Sequence, residues 1–224
     1  MHKVAIVVTT YTGGQESELK SRMTKTLCKR LSELRLFDLP FHVCLVSHSP
    51  IDIETQNYCH SFIYDADNSF QINGLPVDNL THGMAELKSV HNAVNYLKRF
   101  GFTHFFKLTY DCDPTLDFVD IIKRAVLVCE EQKKSMVCSG WGIKETIGFL
   151  MFYCKLDFFS EAFPLTKPEV WHANFEMQSY NVVESLGLID QVYQHHNTYD
   201  NFLGYQIRDF AHQGGTEFEQ YNFS

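Results

Sequence analysis

Two aspartates one residue apart, Asp111 and Asp113, close the run Phe105-Phe106-Lys107-Leu108-Thr109-Tyr110-Asp111-Cys112-Asp113-Pro114. A short apolar and aromatic run bounded by a proline reads as a buried strand, and the acidic pair then falls where the strand leaves its sheet. Residues i and i+2 of an extended chain point to the same side. Asp111 and Asp113 would therefore address one hard divalent cation, directly or through water, while Cys112 turns back toward the protein. Mn²⁺ or Mg²⁺ suits such oxygen ligands and keeps open positions for substrate phosphates. Pro114 lacks an N–H and ends the pairing. Asp is also a favoured turn and helix-start residue, so the tripeptide alone more often describes a solvated turn capping the next helix.

The surrounding elements decide what such a pair is for. Val4 to Thr10 is a continuous β-branched run, the mark of a central strand covered on both faces, and it empties into the polar, glycine-bearing loop Tyr11-Thr12-Gly13-Gly14. Leu19, Met23, Leu27, Leu31 and Leu34 then recur at steps of three and four, predicting an amphipathic helix from about Glu16 to Leu36. Phe41 to Ser47 reads as a second strand and Ser61 to Tyr64 as a third, running into Asp65-Ala66-Asp67. A loop rich in Asn, Gly and Pro leads to a helix from about His82 to Phe100, capped by Gly101, and the strand with the acidic pair follows at once. Beyond it, helices are expected over Leu116 to Gln132, Leu156 to Phe163 and Asn174 to Leu186, and strands over Ser135 to Ser139 and Phe149 to Cys154. The tail from Ile189 shows no period.

Alternating strands and helices imply an α/β fold with a mostly parallel central sheet and helices on both faces. In such sheets ligands bind outside the carboxyl ends of the strands. That edge collects Thr9 to Gly14, Ser47 to Ser49, Asp65 to Asp67 and Asp111 to Asp113: polar loops around an acidic metal site, which describes a nucleotide cleft.

Composition narrows the classes. The 224 residues are 45% hydrophobic and 14% aromatic, enough for one sizeable core. Nineteen Lys and Arg against 27 Asp and Glu give a formal charge of −8, which disfavours nucleic acid and anionic membranes as partners. No apolar run approaches the roughly 20 residues of a membrane span, and the N-terminus lacks the pattern of a signal peptide. The seven scattered cysteines hold no C-x-x-C pair and read as reduced thiols of a cytoplasmic protein. The sequons at Asn79 and Asn222 are then idle.

The order of these parts, with Val7-Val8-Thr9-Thr10-Tyr11 ending the first strand and Asp111-Cys112-Asp113 about 100 residues later, resembles the GT-A fold of nucleotide-sugar-dependent glycosyltransferases. The resemblance covers residues 3 to 133 well and 134 to 200 loosely. No Asp-Asp-Gly-Ser follows the second strand, where this chain has Ser47-His48-Ser49-Pro50, so the large inverting family with that motif fits poorly. The resemblance implies a single glycosyltransferase domain over 1–224, with about 1–113 as the nucleotide-binding half and about 114–224 as the acceptor-binding half.

It further implies a metal-dependent transfer of sugar from a nucleotide-sugar donor, a UDP-sugar foremost, to a hydroxyl of a glycan, glycoprotein or lipid-linked acceptor. Thr9, Thr10 and Tyr11 would line the base and ribose pocket, Asp65 and Asp67 would contact base or ribose, and Lys88 would approach a phosphate. The metal would sit on Asp111 and Asp113 with a late histidine, His196 of the His195-His196 pair, or more weakly His172. Glu176 would be the base of an inverting transfer, with Asp190 in reserve, and Trp141 and Trp171 an acceptor platform. Each has a plainer reading as packing, helix capping or solvated surface. Two other functions compete. A sugar-phosphate nucleotidyltransferase shares the sheet and the metal, but Thr12-Gly13-Gly14-Gln15 lacks that class's basic glycine-rich loop. A catalytically inactive nucleotide-sugar-binding or scaffold domain is the other. No G-x-G-x-x-G follows the first strand, and Val137-Cys138-Ser139-Gly140-Trp141 is no nucleophile elbow.

Overall fold

Strand β1 (Val4–Thr10) sends alternate side chains into two different cores, as a strand of period two must when both its faces are covered. Ala5 and Val7 enter one cluster; Ile6 and Val8 enter the other. The computed structural model describes residues 3–10, 17–34, 41–66, 79–113, 118–139, 145–165, 174–195, 201–203, 205–206 and 208–209. After β1 come α1 (Ser17–Leu34), β2 (His42–Ser47), α2 (Ile53–Asn57), β3 (Ser61–Tyr64), α3 (Asn79–Arg99), β4 (His104–Thr109), β5 (Cys112–Asp113), α4 (Phe118–Glu131), β6 (Met136–Ser139), β7 (Met151–Lys155), α5 (Leu156–Ala162), α6 (Phe175–Ser185), β8 (Val192–His195), β9 (Asn201–Phe202), β10 (Tyr205–Gln206) and β11 (Arg208–Asp209).

Seven strands form one sheet in the order β3-β2-β1-β4-β7-β6-β8. All pairings in it are parallel except those of β7, which runs antiparallel to both β4 and β6. One face is covered by α3, α5 and α6, with Leu87, Val90, Val94, Leu97, Phe159 and Phe175 against Val7, Phe105 and Phe152. The other is covered by α1 and α4, with Leu27, Leu31, Ile121 and Ile122 against Ile6, Leu45, Phe106 and Leu108. The first face is rich in phenylalanines that meet edge to face, as Phe105–Phe152 at 5.5 Å and Phe149–Phe175 at 4.8 Å. Helix α3 packs closely on α6: a Cβ built on Gly83 would lie 2.2 Å from Cγ of Phe175, so only glycine fits there. The other end of α3 stops as the sequence expects, with Gly101 at φ 71°.

The chain steps outward from β1 through β2 to β3, then returns across α3 to lay β4 on the other side of β1. That reversal makes the carboxyl ends of β1 and β4 the switch point of the sheet, where helices diverge and leave a crevice.

The described structure differs from expectation in three places. The strand that leads to the acidic pair stops at Thr109; Tyr110 and Asp111 form a turn and β5 restarts the chain beyond it. The two aspartates therefore do not share one continuous strand. The reason is the partner: β5 pairs antiparallel with β11 from the tail, Arg208 opposite Asp113 and Asp209 opposite Cys112, outside the main sheet. The tail itself is not without structure, since β8 extends the sheet parallel to β6. Finally, Asp52 caps the short α2 through Thr55, an element the sequence reading passed over.

Candidate functional site

A cleft of about 450 Å³, its open mouth included, lies at the switch point and is lined by Thr9, Thr10, His48, Glu86, Ser89, Thr109, Tyr110 and Asp111. Each lining residue follows from the elements beneath it. Thr9 and Thr10 end β1 and Thr109 ends β4, paired in register with Thr9. Tyr110 donates its backbone N–H to the Thr9 carbonyl at 3.1 Å, which holds the turn beside β1. Cys112 is buried and its Sγ lies 3.3 Å from Thr109 Oγ1, closing the turn so that Asp111 is presented to the cleft and Cys112 to the core. Asp111 is 8% exposed.

The floor is an ion pair. Lys107, in the middle of β4 between Phe105 and Thr109, is fully buried on the α3 side of the sheet. Its ammonium donates to Oε1 of Glu86 on α3 and to the Phe149 carbonyl. Thr9 Oγ1 donates to the same Glu86 oxygen at 2.9 Å. Glu86 and Lys107 were not among the sequence candidates, nor were Ser89 and Tyr110, and His48 entered only as part of the Ser47 to Ser49 loop. One signal was present: a lysine inside an apolar strand must find an acceptor, because an unpaired buried charge is not tolerated, and Glu86 lies one helical turn from buried Gly83 and Val90.

Of the sequence candidates, Thr9, Thr10 and Asp111 meet in this cleft. Thr10 turns its hydroxyl to Thr24 Oγ1 on α1 at 2.6 Å. Asp65 follows β3 on the same edge, its N–H bound to the Ser47 carbonyl at 2.8 Å. Lys88 has a carboxylate neighbour on this edge: its Nζ is 3.6 Å from Asp65 Oδ1. Glu176 is in the first turn of α6, half-buried, beside the Phe175 that packs on Gly83. This puts it at the cleft end of α3, outside the lining residues named above.

Asp190 is not brought to the cleft. It precedes β8, whose first residue Val192 pairs with Met136 at the start of β6, so it lies at the opposite edge of the sheet. Its carbonyl there accepts from Lys134 Nζ at 2.5 Å. His195 closes β8 opposite Ser139 on the cleft edge, three strands from β4 or about 14 Å at the usual strand spacing. Tyr11, Asp67, Trp141, Trp171, His172 and His196 lie outside the described residues, as does the side chain of Asp113.

Two carboxylates and no lysine or arginine line the cleft among the described residues. Glu86 is already paired with the Lys107 ammonium, so Asp111 is the carboxylate left to meet a diphosphate, and one Asp carboxylate with water and phosphate oxygens is a hard-oxygen set that Mg²⁺ or Mn²⁺ accepts. Among the described residues no cluster of three or more His, Cys, Asp and Glu occurs. The seven cysteines are free. Burial pushes the thiols of Cys44, Cys129 and Cys138 up to about 12, which removes them as nucleophiles. No helix among the described residues is long and apolar enough to cross a membrane.

The sequence matches no protein-family model and no curated protein. The fold does match solved structures. A protein described as a nucleotide-diphospho-sugar transferase from Desulfovibrio desulfuricans superposes with a TM-score of 0.51 at 10% identity, covering 87% of this chain and 80% of that one. A glycosyltransferase involved in glycosylation of the major capsid of PBCV-1 gives 0.53 at 10% identity over 86% and 80%. A cytidylyltransferase from Leptospira borgpetersenii gives 0.55 at 13% identity over 100% and 89%. The chain therefore has the GT-A-like fold that these nucleotide-sugar and nucleotidyl transferases share.

Proposed function

We propose that the chain is a metal-dependent glycosyltransferase that takes a sugar from a nucleotide-sugar donor, a UDP-sugar foremost, to an acceptor hydroxyl. The supporting observation is the juxtaposition at the switch point of a GT-A-like sheet: Asp111 and the polar ends of β1 and β4 enclose a cleft lined by two carboxylates, of which Glu86 is paired with the buried Lys107 beneath it. A diphosphate enters such a cleft with a divalent cation, which Asp111 would hold together with Asp113. When bound, that cation supplies neutralisation of the departing diphosphate.

The remaining chemistry falls to the protein. Thr9, Thr10 and Tyr110 shape the nucleoside pocket and exclude water from one side of it. In an inverting transfer the acceptor oxygen bonds to the anomeric carbon, the bond to the diphosphate breaks, and the acceptor's proton passes to a carboxylate. Glu176, at the start of α6 on the cleft end of α3, is the base in this reading.

A nucleotidyltransferase is the second reading, favoured by the alignment of the cytidylyltransferase over 100% of this chain. Products separate the two: release of nucleoside diphosphate from a nucleotide sugar supports glycosyl transfer, whereas pyrophosphate from a nucleoside triphosphate and a sugar phosphate supports the alternative. Asp111→Ala is expected to abolish Mn²⁺-dependent donor binding in a thermal-shift titration, and Glu176→Gln to keep binding and lose transfer. Undiminished metal-dependent turnover in Asp111→Ala would remove the cleft from the mechanism.

A further inference from the structure

We propose that Glu86 is a ligand-binding residue, the open oxygen of its carboxylate accepting a hydrogen bond from the nucleoside of the bound nucleotide through a ribose hydroxyl or an N–H of the base. The inference rests on the nucleotide-binding reading above and deepens it by naming the side chain that meets the uncharged half of the ligand. Its ground is the unequal placing of the two carboxylate oxygens. Oε1 is held from within by the Lys107 ammonium and by Thr9 Oγ1 at 2.9 Å. Oε2 has no hydrogen-bond partner among the described residues, and the side chain is 17% exposed where it lines the cleft.

Stability alone does not account for this pair. Taking an ammonium and a carboxylate out of water costs about what their attraction returns, and apolar side chains of similar volume hold a core as well. The neighbours of Lys107 on β4 are of that kind: Phe105 and Phe106 before it, Leu108 after it. What the lysine accomplishes is geometric. Together with Thr9 it fixes one oxygen of Glu86 and thereby the place of the other.

An ionised carboxylate only accepts. The open oxygen therefore asks the ligand for a donor. A phosphate is itself acceptor-only and belongs at the Asp111 end with its cation. Thr9, which donates to Glu86, closes β1 in the nucleoside pocket. The donors available there are the ribose hydroxyls and, according to the base, a ring N–H or an exocyclic amino group. The carboxylate takes any of these equally well, so the ligands of the test are chosen to tell ribose from base.

The test compares the wild type with the double variant Glu86→Met, Lys107→Met by titration calorimetry with Mn²⁺ present. That variant removes the acceptor without changing the net charge of the cleft. The probe is UDP, or GDP or CDP where either binds the wild type more tightly. Its affinity is expected to fall about tenfold or more in the double variant, the size of a hydrogen bond to a charged group. Affinity for pyrophosphate, which has no nucleoside, is expected to stay the same. Two truncated ligands then locate the donor. With a ribose hydroxyl as the source, the difference between the two proteins persists for ribose 5-diphosphate and vanishes for the 2′,3′-dideoxynucleoside diphosphate; with the base as the source, the pattern inverts. Persistence with either ligand supports the contact.

Equal affinity of the two proteins for the probe, an equal loss with pyrophosphate, or a difference that neither truncated ligand retains overturns the assignment while leaving a nucleotide cleft in place. Failure of the wild type to bind UDP, GDP and CDP, with and without Mn²⁺, removes the cleft reading itself. Glu86→Asp keeps a carboxylate for Lys107 and draws it back from the cleft by one methylene. It is expected to repeat the pattern of the double variant, and it decides the matter should that variant fold poorly.

Discussion

The Lys107–Glu86 pair has two partners in unequal surroundings, and the inequality predicts an asymmetry of stability. Glu86→Met leaves an ammonium with 0% exposure, bound among the described residues only to the Phe149 carbonyl. Removing one member of a buried pair costs about 3–5 kcal/mol when the other cannot reach water. Lys107→Met leaves a carboxylate that is 17% exposed to the cleft and still accepts from Thr9. Methionine refills the buried stem, so the loss is that of charge-assisted hydrogen bonds in part replaced by water, about 1–2 kcal/mol. The double Met variant removes both charges and is expected within about 1 kcal/mol of wild type, since apolar replacement of a buried pair is often neutral or favourable. For a domain of this size 1 kcal/mol moves Tm by about 2–4 °C, so Glu86→Met should melt about 6–20 °C lower and Lys107→Met only about 2–8 °C lower. Guanidinium titration of the four proteins, with m held constant, measures the cycle. Equal losses in the two single variants, or a double variant worse than either, would refute the argument that exposure of the survivor sets the cost.

Two further outcomes are expected from the same face of the sheet. Gly83→Ala, which at an open helix site would stabilise by about 1 kcal/mol, is expected to destabilise by about 1–3 kcal/mol because its Cβ collides with the Phe175 ring; a raised Tm, or failure of Phe175→Leu to relieve the loss, would contradict it. His91, buried on α3 with Nε2 donating to the Phe163 carbonyl at 2.5 Å, has its pKa lowered by burial, against the effect of that bond. The unfolded chain therefore takes up this proton first. The contribution to stability is whole above about pH 6.5 and is lost as pH falls toward the lower folded value, at no more than about 1.4 kcal/mol per pH unit. Denaturation midpoints at pH 7.5 and 5.5 should differ more in wild type than in His91→Gln, and identical pH dependence in the two would remove His91 as the cause.

Much of this fold can be read from periodicity because its elements are long and covered on a known number of faces. The β-branched run of β1, the stripe Met84-Leu87-Val90-Val94-Leu97 on α3 and the apolar run of β4 each specify their own structure. What escaped reading depends on partners distant in sequence. Val192–His195 is only four residues long and half-buried, so its alternation carries little signal until β6 is beside it. The break at Thr109 is set by β11, which no local pattern near Asp111 announces. The same holds for the site. Thr9, Thr10 and Asp111 are legible because strand ends at a switch point are defined by topology. A lysine near an acidic edge suits either phosphate or carboxylate, and only the fold shows that Lys88 has Asp65 beside it. Asp190 misled because an unrecognised strand reversed the edge on which it lies.

The two-residue pairing of β5 with β11 ties the acidic edge to the far end of the chain. A ladder this short carries few backbone bonds and opens at a free energy well below that of the sheet it borders. The carboxylate side of the cleft is thus a separate cooperative unit from its β1–β4 floor. In hydrogen exchange, amides of Cys112 and Asp113 should lose protection together with those of Arg208 and Asp209, while Val7 and Phe106 remain closed. A donor that bridges floor and acidic edge would close that gap in protection, so ligand occupancy would be written in the exchange of a tail that need not touch the ligand at all.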